Sequence, residues 1–362
     1  MYTNKSTFNR LKKGERIMNT KVWVVDKLST ENNTYPQLNE PAMFLRNGHA
    51  VAFPTETVYG LGANALDKNA IKKIFEAKGR PSDNPLIIHI SNKDDVNSLA
   101  RNISDKAKKI INAFWPGPIT LVLTKNDEIP FEVTAGLDTV AIRMPNHEVA
   151  LELIKKAGIP IAAPSANLSG KPSPTNADHV LTDLSGKISG VVDGGETGVG
   201  LESTVIDCTG TTPIILRPGG ITKEQLEEVI GKVEYDEHLK DESSIPRSPG
   251  MKYRHYAPDA QFVLVEGDYN RFQSIINEAK NTGKQVGILV SDEGSKILSA
   301  DVVVNLGDKN NLLEISSNLY SGLRAFNNEK VDIIYGETFE EIGLGVAIMN
   351  RLKKSSGDVV VY

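Results

Sequence analysis

The sequence predicts an α/β protein of two domains, on three observations. Strand-like and helix-like segments alternate from about residue 20 to 231, which is the pattern of layered α/β structure. A polar, proline-punctuated stretch then interrupts the pattern at 232–258. After it, short β-branched runs recur between longer segments up to the C-terminus, suiting a second, smaller βα domain. At 362 residues the chain is long enough for each part to bury a core of its own.

The elements follow in order. Residues 1–17 carry basic residues without an apolar run, so they read as an unstructured extension and not a signal peptide. Val22 to Val25 is the first strand-like run, and Ala50 to Phe53 ends in another. The loop Pro54-Thr55-Glu56-Thr57 leads to Gly60 and Gly62, placed as small residues that let backbone approach a ligand. Asp67 is a helix N-cap, Ile71, Ile74 and Phe75 form one apolar face, and Gly79 is the stop. Lys78 lies on that same face. Ser104 caps a helix ended by Trp115-Pro116-Gly117-Pro118, where Trp115 reads as a structural wall. Strands follow at Ile119 to Thr124 and Thr139 to Arg143, a helix at His147 to Ala157, and a short strand at Ile159 to Ala163. Beyond the turn-rich 165–175 come strands at Gly190 to Asp193, Ser203 to Cys208 and Ile214 to Arg217. Thr222 with Gln225 forms a capping box for a helix to Ile230. In the second domain the strands are Gln261 to Val265, Gln285 to Val290, Asp301 to Asn305, Val331 to Tyr335 and Asp358 to Val361.

Composition excludes several classes of function. A net charge of −5 gives no overall attraction to nucleic acid or anionic membrane, so no stable nucleic-acid binding is expected. No apolar run approaches the roughly 20 residues of a membrane span. Cys208 is the only cysteine, which rules out an internal disulfide framework and a CxxC zinc site and suits a reducing cytoplasm. Neither a Walker A sequence nor a GxGxxG fingerprint is present, so bound phosphate would need other groups.

Four clusters of cationic or hydroxyl groups sit at predicted strand or helix ends, where open α/β sheets place ligands. They are Lys78 and Arg80 with Asn84 and His89; Thr139 with Arg143; Ser165 with Asn167; and Glu202 and Ser203 with Arg217. Each has a plainer reading. Lys78 would serve as a C-terminal helix charge, His89 as a core histidine, and Ser165 and Asn167 as turn caps. Arg80, fixed between Gly79 and Pro81, presents a guanidinium fork suited to phosphate oxygens. Arg143, a cation on an otherwise apolar strand, requires an anion, for which a substrate carboxylate is one candidate.

Taken in order, the motifs PTETVYGLG at 54–62, KGRPSDNPLIIHI at 78–90, WPGPIT at 115–120, VAIRMP at 140–145, PSANLSG at 164–170, STVID at 203–207 and RPG at 217–219 resemble the YrdC family of threonylcarbamoyl-AMP synthases. SPGMKYRHYAP and GLGVAIMNRL at 343–352 resemble the long form with an additional C-terminal domain. The resemblance implies a twisted sheet with helices around a basic cavity, plus a smaller Rossmann-like α/β domain. The implied boundaries are 18–231, a linker or lid at 232–258, and 259–362. It implies a nucleotidyltransferase that uses ATP, L-threonine and bicarbonate to make threonylcarbamoyl-AMP and pyrophosphate, supplying a tRNA threonylcarbamoyl transferase that modifies tRNAs reading ANN codons.

Carried over by motif, Lys78 and Arg80 are the catalytic cations. ATP would also contact Asn84, Thr139, Ser165, Asn167, Ser173, Arg217 and Tyr253, while Thr57, His89, Arg143, Ala163 and Ser203 would line a threonine pocket. Mg²⁺ would accompany ATP, held by phosphates and water, because no clustered carboxylates suggest a protein cage. Tyr253 to Tyr256 are candidates for a lid or, equally, for a pin between domains. Two other readings compete: direct RNA binding, and carbamoyl transfer as in hydrogenase maturation, whose proteins use cysteine-rich zinc modules.

Overall fold

A computed structural model describes residues 19–25, 35–236 and 256–362. The proposed extension at 1–17 and most of the 232–258 linker, including Tyr253, lie outside these residues. Two sheets organise the rest. The first is mixed and twelve-stranded; one edge is Lys21–Val24, and the centre carries Gly60–Asn64, Ile161–Ala162, Ile87–His89, Thr139–Arg143 and Ile119–Lys125 side by side. The second is a five-stranded all-parallel sheet built on Gln261–Val265, Val286–Val290, Val302–Asn305, Ile333–Glu337 and Val360–Val361. Helices cover its faces, as an all-parallel sheet requires.

Local sequence signals account for the elements near the cavity. Asp67 accepts from the Asn69 backbone N–H and opens the helix Lys68–Lys78, which Gly79 ends at φ 60°. Ile71, Ile74 and Phe75 bury its inner face, and Lys78 is buried with them. Thr222 and Gln225 form both bonds of a capping box on the helix Lys223–Ile230. Trp115 is buried and donates its indole N–H to Ile119 O at 3.0 Å, closing its own proline-rich turn.

Three expectations change. Gly60–Asn64 is a strand, paired antiparallel with Val51–Phe53; Gly60 lines the cavity described below, whereas Gly62 makes room for neighbouring side chains. A Cβ on Gly62 would lie 2.7 Å from the Ile161 side chain and 2.8 Å from Phe53, so that glycine serves packing and not ligand approach. The first sheet also continues past residue 231. Glu234–Tyr235 adds an edge strand to Ile214–Arg217, so the first sheet reaches into the segment read as linker, where the sequence shows no sustained period. The segment around 177–184 is a helix, capped by Asn176.

The two sheets share apolar packing. Val58 and Leu201 from the first domain belong to the same buried cluster as Tyr256, Phe262, Leu319, Tyr320 and Ile348. Gly200, at φ 77°, abuts the helix Leu312–Ala325 so closely that a Cβ would sit 2.4 Å from Ser316 O. Ser316 Oγ returns a hydrogen bond to Val199 O at 2.8 Å. The second domain is therefore docked directly behind loops of the first.

Candidate active site

A cavity with about 720 Å³ of space between its walls, part of it open to solvent, lies where the Lys68–Lys78 helix ends and the central strands finish. Thr57, Lys78, Arg80, His89, Arg143, Ala163, Ser165, Asn167, Ser203 and Arg217 all line it. Sequence reading named every one of these.

On one wall the helix delivers Lys78 into the turn at 165–171. Lys78 Nζ donates to Ser165 O and to Asn167 O, each at 2.5 Å. Ser169 N–H donates back to Lys78 O at 3.1 Å. Ser165 Oγ donates to Asn167 Oδ1 at 2.6 Å, while the Asn167 amide donates to Leu168 O and Lys171 O at 2.9 and 2.7 Å. The lysine thus holds the turn to the helix as well as facing the cavity. Burial, then the Arg80 charge, push its pKa well below the ordinary lysine value. Arg80, half-buried, follows in the αL-terminated loop.

The opposite wall is made by parallel strands that set His89 beside Arg143. The His89 Nδ1–H donates to Ile87 O at 3.1 Å, which leaves Nε2 as the acceptor nitrogen. Burial, reinforced by the Arg143 charge, brings its pKa down to about 3, so the ring is neutral near pH 7. Arg143 Nη2 lies 2.7 Å from Glu56 Oε2, so the anion this cation requires is already partly supplied by the chain. Its Nε is buried and makes no hydrogen bond among the described residues. Thr57 Oγ1 lies 2.9 Å from Thr55 Oγ1, and Thr55 also lines the cavity.

The third wall joins Ser203 to Arg217. Arg217 Nε and Nη2 donate to Ser203 O at 3.1 and 2.9 Å, and Nη2 reaches Ser203 Oγ at 3.1 Å. Ser203 Oγ also meets Thr120 Oγ1 at 2.8 Å. Glu202 stands in this wall as a carboxylate among cations. Burial alone would raise its pKa, but the Arg351 and Arg217 guanidiniums and the Ser173 hydroxyl hold it at about 2.

The remaining sequence candidates are placed elsewhere. Thr139 begins the strand that Arg143 ends and pairs with Thr124, so three residues of extended chain separate it from Arg143 at the cavity wall. Ser173 is buried and donates to Glu202 at 2.6 Å, standing behind the wall instead of in it. Asn84 is buried outside the cavity lining, its side-chain amide without a hydrogen bond among the described residues. Tyr256, in the described end of the linker, does line the cavity and stacks on Tyr320 with ring centroids 5.2 Å apart.

Sequence reading grouped Glu202 with Ser203 and Arg217 or took it as a strand start, but gave neither it nor Glu56 a counter-ion. The signal was a carboxylate within each cationic or hydroxyl motif, but its partner is distant in sequence. Among the described residues no group of three or more His, Cys, Asp or Glu side chains is placed to hold a metal. The two carboxylates at the cavity are engaged by arginines.

A family model described as "Telomere recombination" matches residues 43–219, and one described as "Threonylcarbamoyl-AMP synthase, C-terminal domain" matches 221–357. A threonylcarbamoyl-AMP synthase from Bacillus subtilis is 52% identical over 345 residues, covering 95% of this chain and all of the relative. One from Schizosaccharomyces pombe is 40% identical, covering 91% of this chain and 90% of that one. The crystal structure of Pyrococcus abyssi Sua5 complexed with L-threonine is 48% identical and superposes with a TM-score of 0.87, covering 96% of this chain and all of that chain. With both domain models matched in order and full-length relatives at this identity, the chain belongs to the threonylcarbamoyl-AMP synthases of the Sua5/YrdC family, in their two-domain form.

Proposed function

We propose that the cavity holds ATP and L-threonine side by side and, with bicarbonate, forms threonylcarbamoyl-AMP and pyrophosphate. The observation that carries the reading is the convergence of two unlike sets of groups on one cavity. Lys78, Arg80, Ser165, Asn167 and Arg217 offer cations and hydroxyl or amide groups for phosphates, and Thr57, His89, Arg143, Ala163 and Ser203 line the same cavity as candidates for the amino acid. The Pyrococcus relative, solved with L-threonine, supports the amino-acid assignment. Asn84, Thr139 and Ser173 stay in the proposal only as ATP contacts that a change of conformation would have to bring in, and Tyr253 stays in it as an ATP contact outside the described residues.

The chemistry asks little covalent work of the protein. Threonine's amine condenses with bicarbonate to a carbamate, losing water; a carbamate oxygen then forms a bond to the α-phosphorus as the bond to pyrophosphate breaks. Positioning and charge stabilisation supply the catalysis. Lys78 and Arg80 offset charge on the transferred phosphates, and a bound phosphate would in turn favour the protonated form of Lys78. Neutral His89 Nε2 accepts a hydrogen bond from threonine's amine or hydroxyl. Arg143, already oriented by Glu56, turns its remaining N–H groups to the threonine carboxylate.

Mg²⁺ would arrive with ATP and be held by phosphates and water, since Glu56 and Glu202 are committed to arginines and form no cage. The product would pass to a tRNA threonylcarbamoyl transferase acting on tRNAs that read ANN codons, in a reducing cytoplasm that suits the lone buried Cys208. Pyrophosphate release with threonine and bicarbonate omitted in turn tests the reading. Release should require both, and release that persists without either would overturn it.

A further inference from the structure

The second domain drives two arginines into the first, and one reaches the back of the cavity wall. Arg324, on the helix Leu312–Ala325, pairs with Asp183 at 2.8 Å. Arg351, on the helix Leu344–Ser356, is fully buried. Its Nε donates to Glu202 Oε2 at 2.8 Å and its Nη2 to Pro218 O at 2.9 Å. These are the neighbours in sequence of Ser203 and Arg217, which line the cavity and are hydrogen-bonded to each other. Glu202 also accepts from Tyr320 OH at 2.8 Å, again from the second domain. The Arg351 guanidinium lies 5.7 Å from the ring centroid of Tyr256, a third part of the wall. Arg351 therefore touches three cavity segments without lining the cavity itself.

Charge decides what this arrangement does. Glu202 is a carboxylate in a wall whose other charged groups are Lys78, Arg80, Arg143 and Arg217. Left alone it would draw on Arg217, the lining guanidinium whose charged form it favours, and lower the positive potential offered to an anion. We propose that Arg351 is a positioning residue supplied by the second domain, which neutralises Glu202 from behind and so keeps the charge of Arg217 available to the nucleotide phosphates. The proposal rests on the reading of the cavity as an ATP site. It gives the second domain a part in nucleotide binding beyond covering apolar surface.

The full-length chain and three variants, Arg351→Met, Arg351→Lys and the double variant Arg351→Met with Glu202→Gln, test it. Binding of ATP and of L-threonine is measured by calorimetry, and the folded fraction by circular dichroism. Arg351→Met should weaken ATP about tenfold and threonine less than about twofold. Removing the carboxylate as well should return ATP affinity to within about threefold of the parent, because no uncompensated buried charge remains. Arg351→Lys, which keeps the charge but not the two-pronged reach, should fall between and covers the case of a poorly folded Met variant.

A residue that only staples the domains would weaken both ligands in proportion to the unfolded fraction, and the double variant would recover nothing. Either that result, or parental ATP affinity in Arg351→Met, overturns the proposal while leaving the function intact. A parent chain that takes up no ATP overturns the functional reading and the proposal together.

Discussion

Replacing Lys78 by Met separates its two tasks. The apolar stem survives, but the carbonyls of Ser165 and Asn167 lose a donor that now lies 2.5 Å from each. An unsatisfied buried acceptor costs about 1–3 kcal/mol, so the pair loses about 2–6 kcal/mol. Part of this returns because a fully buried amine no longer has to be desolvated, which leaves a net cost of about 2–4 kcal/mol. For a domain near this size that corresponds to a fall in Tm of about 5–15 °C. Differential scanning calorimetry should show the drop, and pyrophosphate release should fall with it. Arg80→Ala is the control: a half-buried side chain in a loop, whose loss should move Tm by less than about 2 °C while cutting turnover about a hundredfold. Lys78→Met melting within about 2 °C of the parent would refute the structural part of the argument, since orphaned carbonyls cannot be that cheap.

Arg143→Lys should raise the KM for threonine about tenfold or more and leave the KM for ATP nearly unchanged, because it acts on the His89 wall and loses a two-pronged carboxylate contact; steady-state kinetics with each substrate varied would show the split. Gly200→Ala places a Cβ 2.4 Å from Ser316 O at a φ of 77°, and should lower Tm through domain docking by about 1–3 kcal/mol of strain, without changing the catalytic residues. Acidification should destabilise the chain from pH 6.5 downward. His89 is neutral in the folded state down to about pH 3, whereas the unfolded ring takes a proton near its ordinary value of 6.5. Stability is therefore complete above pH 6.5 and falls by about 1.4 kcal/mol per pH unit below it. Glu202, held at about 2 against 4.5, adds a further loss that begins only below pH 4.5. Urea melts of the parent and His89→Gln between pH 7 and 5 would check the first limb, which the variant should make shallower, the remainder coming from His179, whose pKa burial brings down to about 4.

What the sequence made legible was what is local. The N-cap at Asp67, the stop at Gly79 and the capping box of Thr222 and Gln225 are each decided within a few residues, and each formed as read. The strand Thr139–Arg143 was bounded to the residue, because its β-branched run is abruptly flanked by polar and proline residues. Gly60–Asn64 escaped because its two glycines mimic a loop, and only side chains distant in sequence or across the ladder, Ile161, Ala163 and Phe53, explain them. In the site, the cationic motifs announced themselves by type. Their partners did not: Glu56 meets Arg143 from 87 residues away and Arg351 reaches Glu202 across 149, distances that no local pattern encodes. For the same reason Lys78 looked like either a macrodipole charge or a phosphate ligand. Its bonds to a turn 87 residues on show a structural task that neither reading contained.

The placement of carboxylates resolves an apparent contradiction between a chain of net charge −5 and a cavity built for anions. Net charge acts at long range and is screened over about 8 Å at physiological salt, so a buried site is governed by its own lining. Four cations line the cavity against Glu56 and Glu202. If both carboxylates drew on the lining alone, half of its charge would be cancelled. Glu56 does pair with a lining residue, Arg143, and thereby fixes a guanidinium beside His89, where the proposed function places a single carboxylate. Glu202 is instead paired from outside the lining by Arg351. The positive surplus is left with Lys78, Arg80 and Arg217, where the proposed function places a triphosphate. The asymmetry between the two ends thus follows from which domain supplies the counter-ion, and a chain that lost the second domain would have to dispose of the Glu202 charge in another way.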